Sequence, residues 1–427
     1  MSANAALGTA RPKRVLLIAF HFPPYRGSSG LLRTLKFAQH LGRYGWEPTV
    51  ITADPRAYER RYEHIPPPPA GVQVHRVFAL DIARQLSVAG RYPRFLALPD
   101  RWSPWWFGGV RRAVSLVKEL QPQIVWSTYP IATAHAIGLS THRRTAIPWV
   151  ADCRDSMTED DYPREALTRR VFRRLERHMV NEAARVVFTA PGTAKMYAER
   201  YRDVPANRWC LLPNGYDEED FVGLASAAPR QPHQPVKLLH SGVLYPIERD
   251  PSELFRALRS LLDRGALDAS QLRVVLRASS HDRELTALIE KFGVGSLVHL
   301  EPGLPYAEAL QEMTTSDALL LLQGASCNHQ IPAKLYEYMR ARRPMFALTD
   351  PVGDTARQIV GAGAGVVCPL DDAAAIEREL PLFLDVVRNG AAPVAEGATV
   401  RNFERSEQAG QLARLFDAVL AEAGVAR

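Results

Sequence analysis

The sequence predicts an α/β protein built from two doubly wound, parallel-sheet domains in series, and three observations carry that prediction. Short apolar, β-branched runs alternate with stretches of helical period, the strand–helix–strand pattern of a parallel sheet covered by helices on both faces. The alternation breaks once, at "GLASAAPRQPHQP" (223–235), which is rich in Ala, Pro and Gln and has no apolar period, and then restarts. The length, 427 residues, suits two or three domains.

After a short polar tail (1–13), "RVLLIAF" (14–20) reads as the first buried strand. "GLLRTLKFAQHLGRYG" (30–45) puts Leu31, Leu35, Ala38 and Leu41 on one helical face, and "WEPTVIT" (46–52) is the next strand. Strands at 122–128, 147–152, 184–190 and 208–214, with helices between them, complete a first domain over 14–222. Beyond the linker at 223–235, strands at 236–242, 272–278, 296–302, 317–323, 344–350 and 364–370 build a second domain over 236–402. Helices are expected from about Asp250, from Pro332 and from Asp354, and a last helix over about 403–424 is expected to cross back to the first domain. Ligands of open parallel sheets bind beyond the carboxyl ends of strands, beside helix N-termini. Two such domains facing each other would form a cleft, so residues just after strands are the ones to read.

Composition narrows the function. At 46% hydrophobic and 23% charged the chain is an ordinary globular protein, with no apolar run near the ~18 residues of a membrane span. Val15 to Phe20 is too short for a secretory core. Cys153, Cys210, Cys327 and Cys368 have neither zinc nor redox spacing, so buried thiols in a reducing cytoplasm are expected. The net charge of +7, with basic clusters at 56–64 and 167–178, points to an anionic partner or simply to a surplus of arginine. No helix-turn-helix, zinc finger or aromatic RNA-binding signature accompanies them, which weighs against nucleic acid. "RWSPWWFGGVRRAVSLVKEL" (101–120) reads as core packing around a helix, or as a patch for an anionic inner leaflet.

The chemistry-bearing stretches follow strands. In "HFPPYRGSSG" (21–30), Gly27, Ser28, Ser29 and Gly30 offer a tight turn with unpaired N–H groups, and Arg33 lies one turn into the helix. His135 falls in a helical Ala/Ile/Gly stretch, either packed or functional. "VADCRDS" (150–156) ends a strand with Asp152, Arg154 and Asp155, which can form a structural ion pair, position a sugar hydroxyl or take a proton. In the second domain Gly242 and Arg249 follow one strand and Arg277 ends another. Pro332 suits the first turn of a helix, where the amides of Ala333, Lys334 and Leu335 would face a ligand. A cation in that turn opposes the helix dipole unless an anion sits there. Glu337, one turn deeper, can accept both hydroxyls of a ribose; a phosphate on the helix end and a diol on the acid is the layout of a bound nucleotide.

These stretches together resemble the family-4 glycosyltransferases of the GT-B fold, closest to the bacterial branch that builds cell-surface polysaccharides. That branch carries Pro-(Ser/Ala)-Lys-Leu-x-Glu-Tyr, here Pro332 to Tyr338, and a strand ending Ala-Asp-x-Arg-Asp, here Ala151 to Asp155; the likeness runs from about 14 to 425. The resemblance implies a retaining, metal-independent, hexosyltransferase-like enzyme without a resident cofactor. It would take a nucleotide-diphospho-sugar in the second domain and a glycan or lipid-linked acceptor in the first, in the cytoplasm or at the inner membrane face. It implies that Arg249 and Lys334 bind the diphosphate with Gly242, Ala333 and Leu335. Glu337 would hold the ribose, with Arg277 near the nucleoside, and His329 and Gln330 would lie on the donor sugar. Asp152, Arg154, Asp155 and His135 are the catalytic candidates. The chain departs from the family where His329 replaces the first Glu of Glu-x7-Glu, Val243 an arginine, and Arg342 a glycine. A nucleotide-sugar epimerase of the same fold and a non-catalytic nucleotide-sugar-binding subunit are the rival readings.

Overall fold

The computed structural model describes residues 12–25, 29–61, 67–160, 162–225 and 234–424. They divide into two compact units, Met1–Thr189 with Thr193–Pro213 and Arg405–Arg427, and Ala190–Gly192 with Asn214–Glu404.

The first unit runs β1 (Lys13–Ile18), α1 (Ser29–His40), β2 (Trp46–Ala53), β3 (Gln73–Val77), α2 (Ile82–Gln85), α3 (Trp105–Leu120), β4 (Ile124–Thr128), α4 (Ala132–Thr145), β5 (Trp149–Cys153), α5 (Ala166–Glu182), β6 (Arg185–Phe188), α6 (Pro191–Arg200) and β7 (Trp209–Leu211). Its seven strands are all parallel, in the order β3-β2-β1-β4-β5-β6-β7. The central strands are apolar throughout because both faces are covered: β1 packs Leu16 and Ile18 against one layer of helices and Val15 and Leu17 against the other. The tryptophans of the 101–120 stretch serve this core. Trp105 is fully buried, Trp102 lies 4.8 Å from Phe20, and only Phe107 stands out, 68% exposed.

The second unit runs β8 (Val236–Ser241), α7 (Ser252–Asp263), β9 (Leu272–Arg277), α8 (Asp282–Phe292), β10 (Val298–Glu301), α9 (Tyr306–Thr315), β11 (Ala318–Gln323), α10 (Lys334–Ala341), β12 (Met345–Thr349), α11 (Asp354–Gly361), β13 (Gly365–Cys368), α12 (Ala373–Arg388) and α13 (Gly397–Arg401). Its six strands are parallel, in the order β10-β9-β8-β11-β12-β13. The division from the first unit falls at Pro213–Asn214, upstream of the 223–235 segment. Tyr216 and Phe221 already pack in the second core, and Tyr216 N–H bonds Phe403 O at 3.1 Å.

A last helix, α14 (Arg405–Glu422), belongs to the first unit. Leu412, Ala413, Phe416 and Val419 pack in the same cluster as Val15, Leu17 and Trp46. Gly410 lets it come close, since a Cβ there would lie 2.7 Å from the Tyr44 ring. In both sheets the strand order reverses beside the first strand, between β1 and β4 and between β8 and β11. Those two switch points are where a parallel sheet opens a crevice for ligands.

Candidate functional site

In the first unit the switch point gathers residues from β1, β4, β5 and the start of α1. Arg33, one turn into α1, is wholly buried, and its guanidinium grips Asp152 at the end of β5 through two bonds, 3.1 and 2.7 Å. The same guanidinium donates to Leu212 O (3.0 Å) and Pro213 O (2.8 Å), and Asp152 also accepts from Thr128 Oγ1 (2.8 Å). Asp152 is itself 0% exposed. A carboxylate with its acceptor sites taken and no open face is a clamp between α1, β4, β5 and the segment after β7.

Arg154 points elsewhere. A Cβ on Gly30 would lie 1.4 Å from Arg154 Nη1, so the guanidinium rests on the bare backbone of the first turn of α1. Burial pushes the Arg154 pKa down, with Asp155 and Asp152 opposing. Arg154 and Asp155 are half-buried. His21, stacked on Tyr25 at 4.3 Å, faces the same guanidinium; burial first and Arg154 second push its pKa down to about 3, so it is a neutral imidazole. Ser29 opens α1, while Gly27 and Ser28 lie outside the described residues. His135 is enclosed in the core. Trp149 Nε1 donates to Ser127 Oγ (2.8 Å), Ser127 Oγ meets His135 Nδ1 (2.8 Å), His135 Nε2 meets Cys153 Sγ (3.7 Å), and Cys153 donates to Met179 Sδ (3.4 Å). Trp N–H only donates and Met only accepts, so the chain closes with the proton on Nε2. Burial holds the His135 pKa at about 4.

In the second unit the switch point is cationic. Lys334, first residue of α10, places Nζ over Gly242, where a Cβ would lie 2.9 Å away, and Gly242 has φ +114°, which L side chains rarely adopt. Arg249 donates to Val243 O (2.6 Å) and lies over the Tyr245 ring at 5.2 Å. Burial above all, then Arg249, push the Lys334 pKa well below its usual value, with Glu337 opposing. Two cations held together, one of them desolvated, form a site that gains from an anion. Glu337 accepts from Tyr306 Oη at 2.9 Å.

The helix begins two residues after Pro332. Leu335 N–H is taken by Pro332 O (3.0 Å) and its side chain is buried, so of the three expected amides those of Ala333 and Lys334 remain. Arg277 is engaged by Glu312 through two bonds of 2.7 Å and by Pro302 O (2.8 Å). Its backbone, not its guanidinium, meets the site: Gly242 N–H donates to Arg277 O (2.9 Å). His329 and Gln330 are half-buried in a braced turn. The Gln330 carbonyl accepts from Gln323 Nε2 and Thr355 Oγ1, both at 3.1 Å, and Asn328 Nδ2 donates to Asp350 (2.6 Å). The residue that motif reading missed is His240, fully buried beside Lys334; its one signal is a lone histidine in the apolar strand "VKLLHS".

Residues 32–215 match the model of a family described as a glycosyl transferase 4-like domain. No curated protein matches the chain. Among solved structures, sucrose-phosphate synthase from Thermosynechococcus elongatus is similar over 96% of this chain and 100% of its own, at 14% identity and a TM-score of 0.67. The α,α-trehalose 6-phosphate synthase of Burkholderia multivorans is similar over 97% and 98%, at 12% and 0.66. Anabaena HepE, solved in complex with UDP-glucose, is similar over 95% and 99%, at 13% and 0.61. The fold is GT-B, as the sequence led us to expect.

Proposed function

We propose that this chain, which carries a glycosyl transferase 4-like domain over residues 32–215 within a GT-B fold, moves a sugar from a nucleotide-diphospho-sugar to a hydroxyl of an acceptor. The observation that carries the reading is the paired cation site at the β8/β11 switch point, with Lys334 Nζ over Gly242, Arg249 beside it and Glu337 one turn deeper. Breaking a sugar–diphosphate bond leaves about two negative charges on the departing group. Each well-placed charged donor contributes ~3–4 kcal/mol to such a transition state, so two or three together exceed the ~10²–10⁴-fold of a general base. Lys334, Arg249 and the Ala333 and Lys334 amides supply those donors, Glu337 takes the ribose, and His329 and Gln330 lie on the sugar. No metal and no resident cofactor enter this scheme. In the first unit Arg154, Asp155 and the neutral His21 are the groups offered to an acceptor, with Asp152 fixing their frame.

A retaining outcome and a glycan or lipid-linked acceptor in surface polysaccharide synthesis complete the reading, with the protein cytoplasmic and peripheral at the inner membrane face. The face of α5 supports an anionic partner. Arg170, Arg173, Arg174 and Arg177 are exposed there, at helical spacing, without an acidic partner among the described residues. Like charges at that spacing cost a few tenths of a kcal/mol per pair, and each is worth ~1 kcal/mol against an anionic leaflet. Replacing the four by Glu should abolish salt-sensitive co-sedimentation with anionic vesicles; unchanged co-sedimentation would refute this contact. No described helix is long and apolar enough to cross a membrane.

The test is a thermal-shift screen with UDP-, GDP- and dTDP-sugars, followed by transfer assays with the donor that binds. Lys334→Ala and Arg249→Ala should abolish transfer, and Glu337→Gln should weaken donor binding. Transfer by Lys334→Ala at the wild-type rate would overturn the assignment. Conversion of donor without any acceptor would favour an epimerase, and binding without turnover a non-catalytic subunit.

A further inference from the structure

We propose that His240 is the positioning residue of the phosphate-binding cation: its Nε2 lone pair holds Lys334 Nζ over the bare backbone of Gly242, where an entering diphosphate takes the cation over. The proposal rests on the donor reading above. The pairing of β8 with β11 runs Leu238↔Ala318 and Leu239↔Leu319 and goes no further, because the strands part at the switch point. His240 Nδ1 lies 2.9 Å from the next carbonyl, Leu320 O. A carbonyl only accepts, so the proton is on Nδ1 and Nε2 presents a lone pair. Lys334 Nζ lies 3.1 Å from that nitrogen. One imidazole thus caps the end of the β8–β11 ladder and orients the ammonium.

The chemistry explains why a neutral ring suits the place. A carboxylate there would pair with Lys334, and a diphosphate would have to break that ion pair. A neutral acceptor fixes the direction of the ammonium without forming an ion pair with it. Burial first, then Lys334, push the His240 pKa well below its usual value, so the ring stays neutral. The other charged groups facing Lys334 are Arg249, which disfavours its charge, and Glu337 of its own helix, which favours it and is itself held by Tyr306 of α9. A bound diphosphate raises the Lys334 pKa. Binding therefore takes up a proton, and affinity falls as pH rises through the free-state pKa of Lys334.

Two substitutions separate the two bonds of the ring. His240→Asn keeps an N–H where Nδ1 sits, for Leu320 O, but has no acceptor at the Nε2 position. His240→Gln restores an amide oxygen there. Trace acetylation of the Lys334 amine, followed by mass spectrometry from about pH 6 to about pH 10, reads its titration in the free protein. Inorganic pyrophosphate titrated by calorimetry reads the anion site. His240→Asn should lower the Lys334 titration by about one unit and weaken pyrophosphate roughly tenfold or more, the loss of one hydrogen bond to a charge. His240→Gln should stay close to wild type in both. Wild-type titration and affinity in His240→Asn, with thermal unfolding showing it folded, would overturn the proposal, as would an equal loss in both variants. If Lys334 titrates as expected in all three proteins but none binds pyrophosphate or a nucleotide-sugar, the donor reading fails and the positioning of Lys334 by His240 stands.

Discussion

Asp152→Asn removes one charge and almost no volume from a site closed to water, and its cost can be worked from the contacts. Asp152 accepts two bonds from Arg33 and one from Thr128, all at 3.1 Å or less. Breaking a buried pair by removing one partner costs about 3–5 kcal/mol, because the other charge is left uncompensated. The lower end applies here, since the amide oxygen still accepts one bond and the Leu212 and Pro213 carbonyls stay on the guanidinium. Arg33→Met should cost a similar amount by stranding the carboxylate. The double variant Arg33→Met/Asp152→Leu should cost much less than the sum, since it strands no charge. Urea unfolding followed by tryptophan fluorescence is the assay. All seven tryptophans, Trp46, Trp102, Trp105, Trp106, Trp126, Trp149 and Trp209, lie in the first unit, so the signal reports that unit alone. Asp152→Asn should lower the midpoint by about 1 M or more. A shift below about 0.3 M, or additive costs in the double variant, would refute the clamp.

Two further predictions use the same logic. His135 titrates at about 4 when native and near 6.5 when unfolded, so its contribution is intact above pH 6.5 and is lost as pH falls toward 4. At pH 5 the first unit should have lost about 2 kcal/mol through this group; His135→Gln should flatten that part of the urea-midpoint profile, and an unchanged slope would count against a neutral buried ring. Arg342, at the end of α10, sits at φ +52°, a left-handed conformation that costs a side chain about 1 kcal/mol or more. Arg342→Gly should therefore raise the calorimetric transition of the second unit, and a lowered transition would refute the strain.

How much the sequence discloses depends on burial. Central strands such as β11, "ALLLLQ", are covered on both faces and read as apolar runs. β3 leaves no mark in the sequence because it lies at the sheet edge, its residues half-buried or exposed, with no apolar run to betray it. α12 hides behind Pro381 inside it. At the second switch point, Gly242 and Arg249 follow a strand and Lys334 opens a helix, positions that the chain itself marks. His240 is not so marked, because its side chain acts sideways, from one strand to its neighbour, and spacing along the chain carries no sign of that. Arg277 illustrates the converse. Its position at a strand end suggested a ligand, but strand alternation turns the guanidinium to Glu312 of α9. Asp152 and Arg33 lie 119 residues apart in the chain, and only the fold joins them.

The return of α14 to the first unit sets a timetable for biosynthesis. Val15, Leu17 and Trp46 leave the ribosome long before the partners that cover them, Leu412 to Val419, are made. Throughout that interval the nascent chain carries an uncovered greasy stripe beside α1, a natural handle for chaperones. Any premature stop codon upstream of 405 yields a product that keeps the stripe open and is marked for aggregation or proteolysis, however sound its second unit.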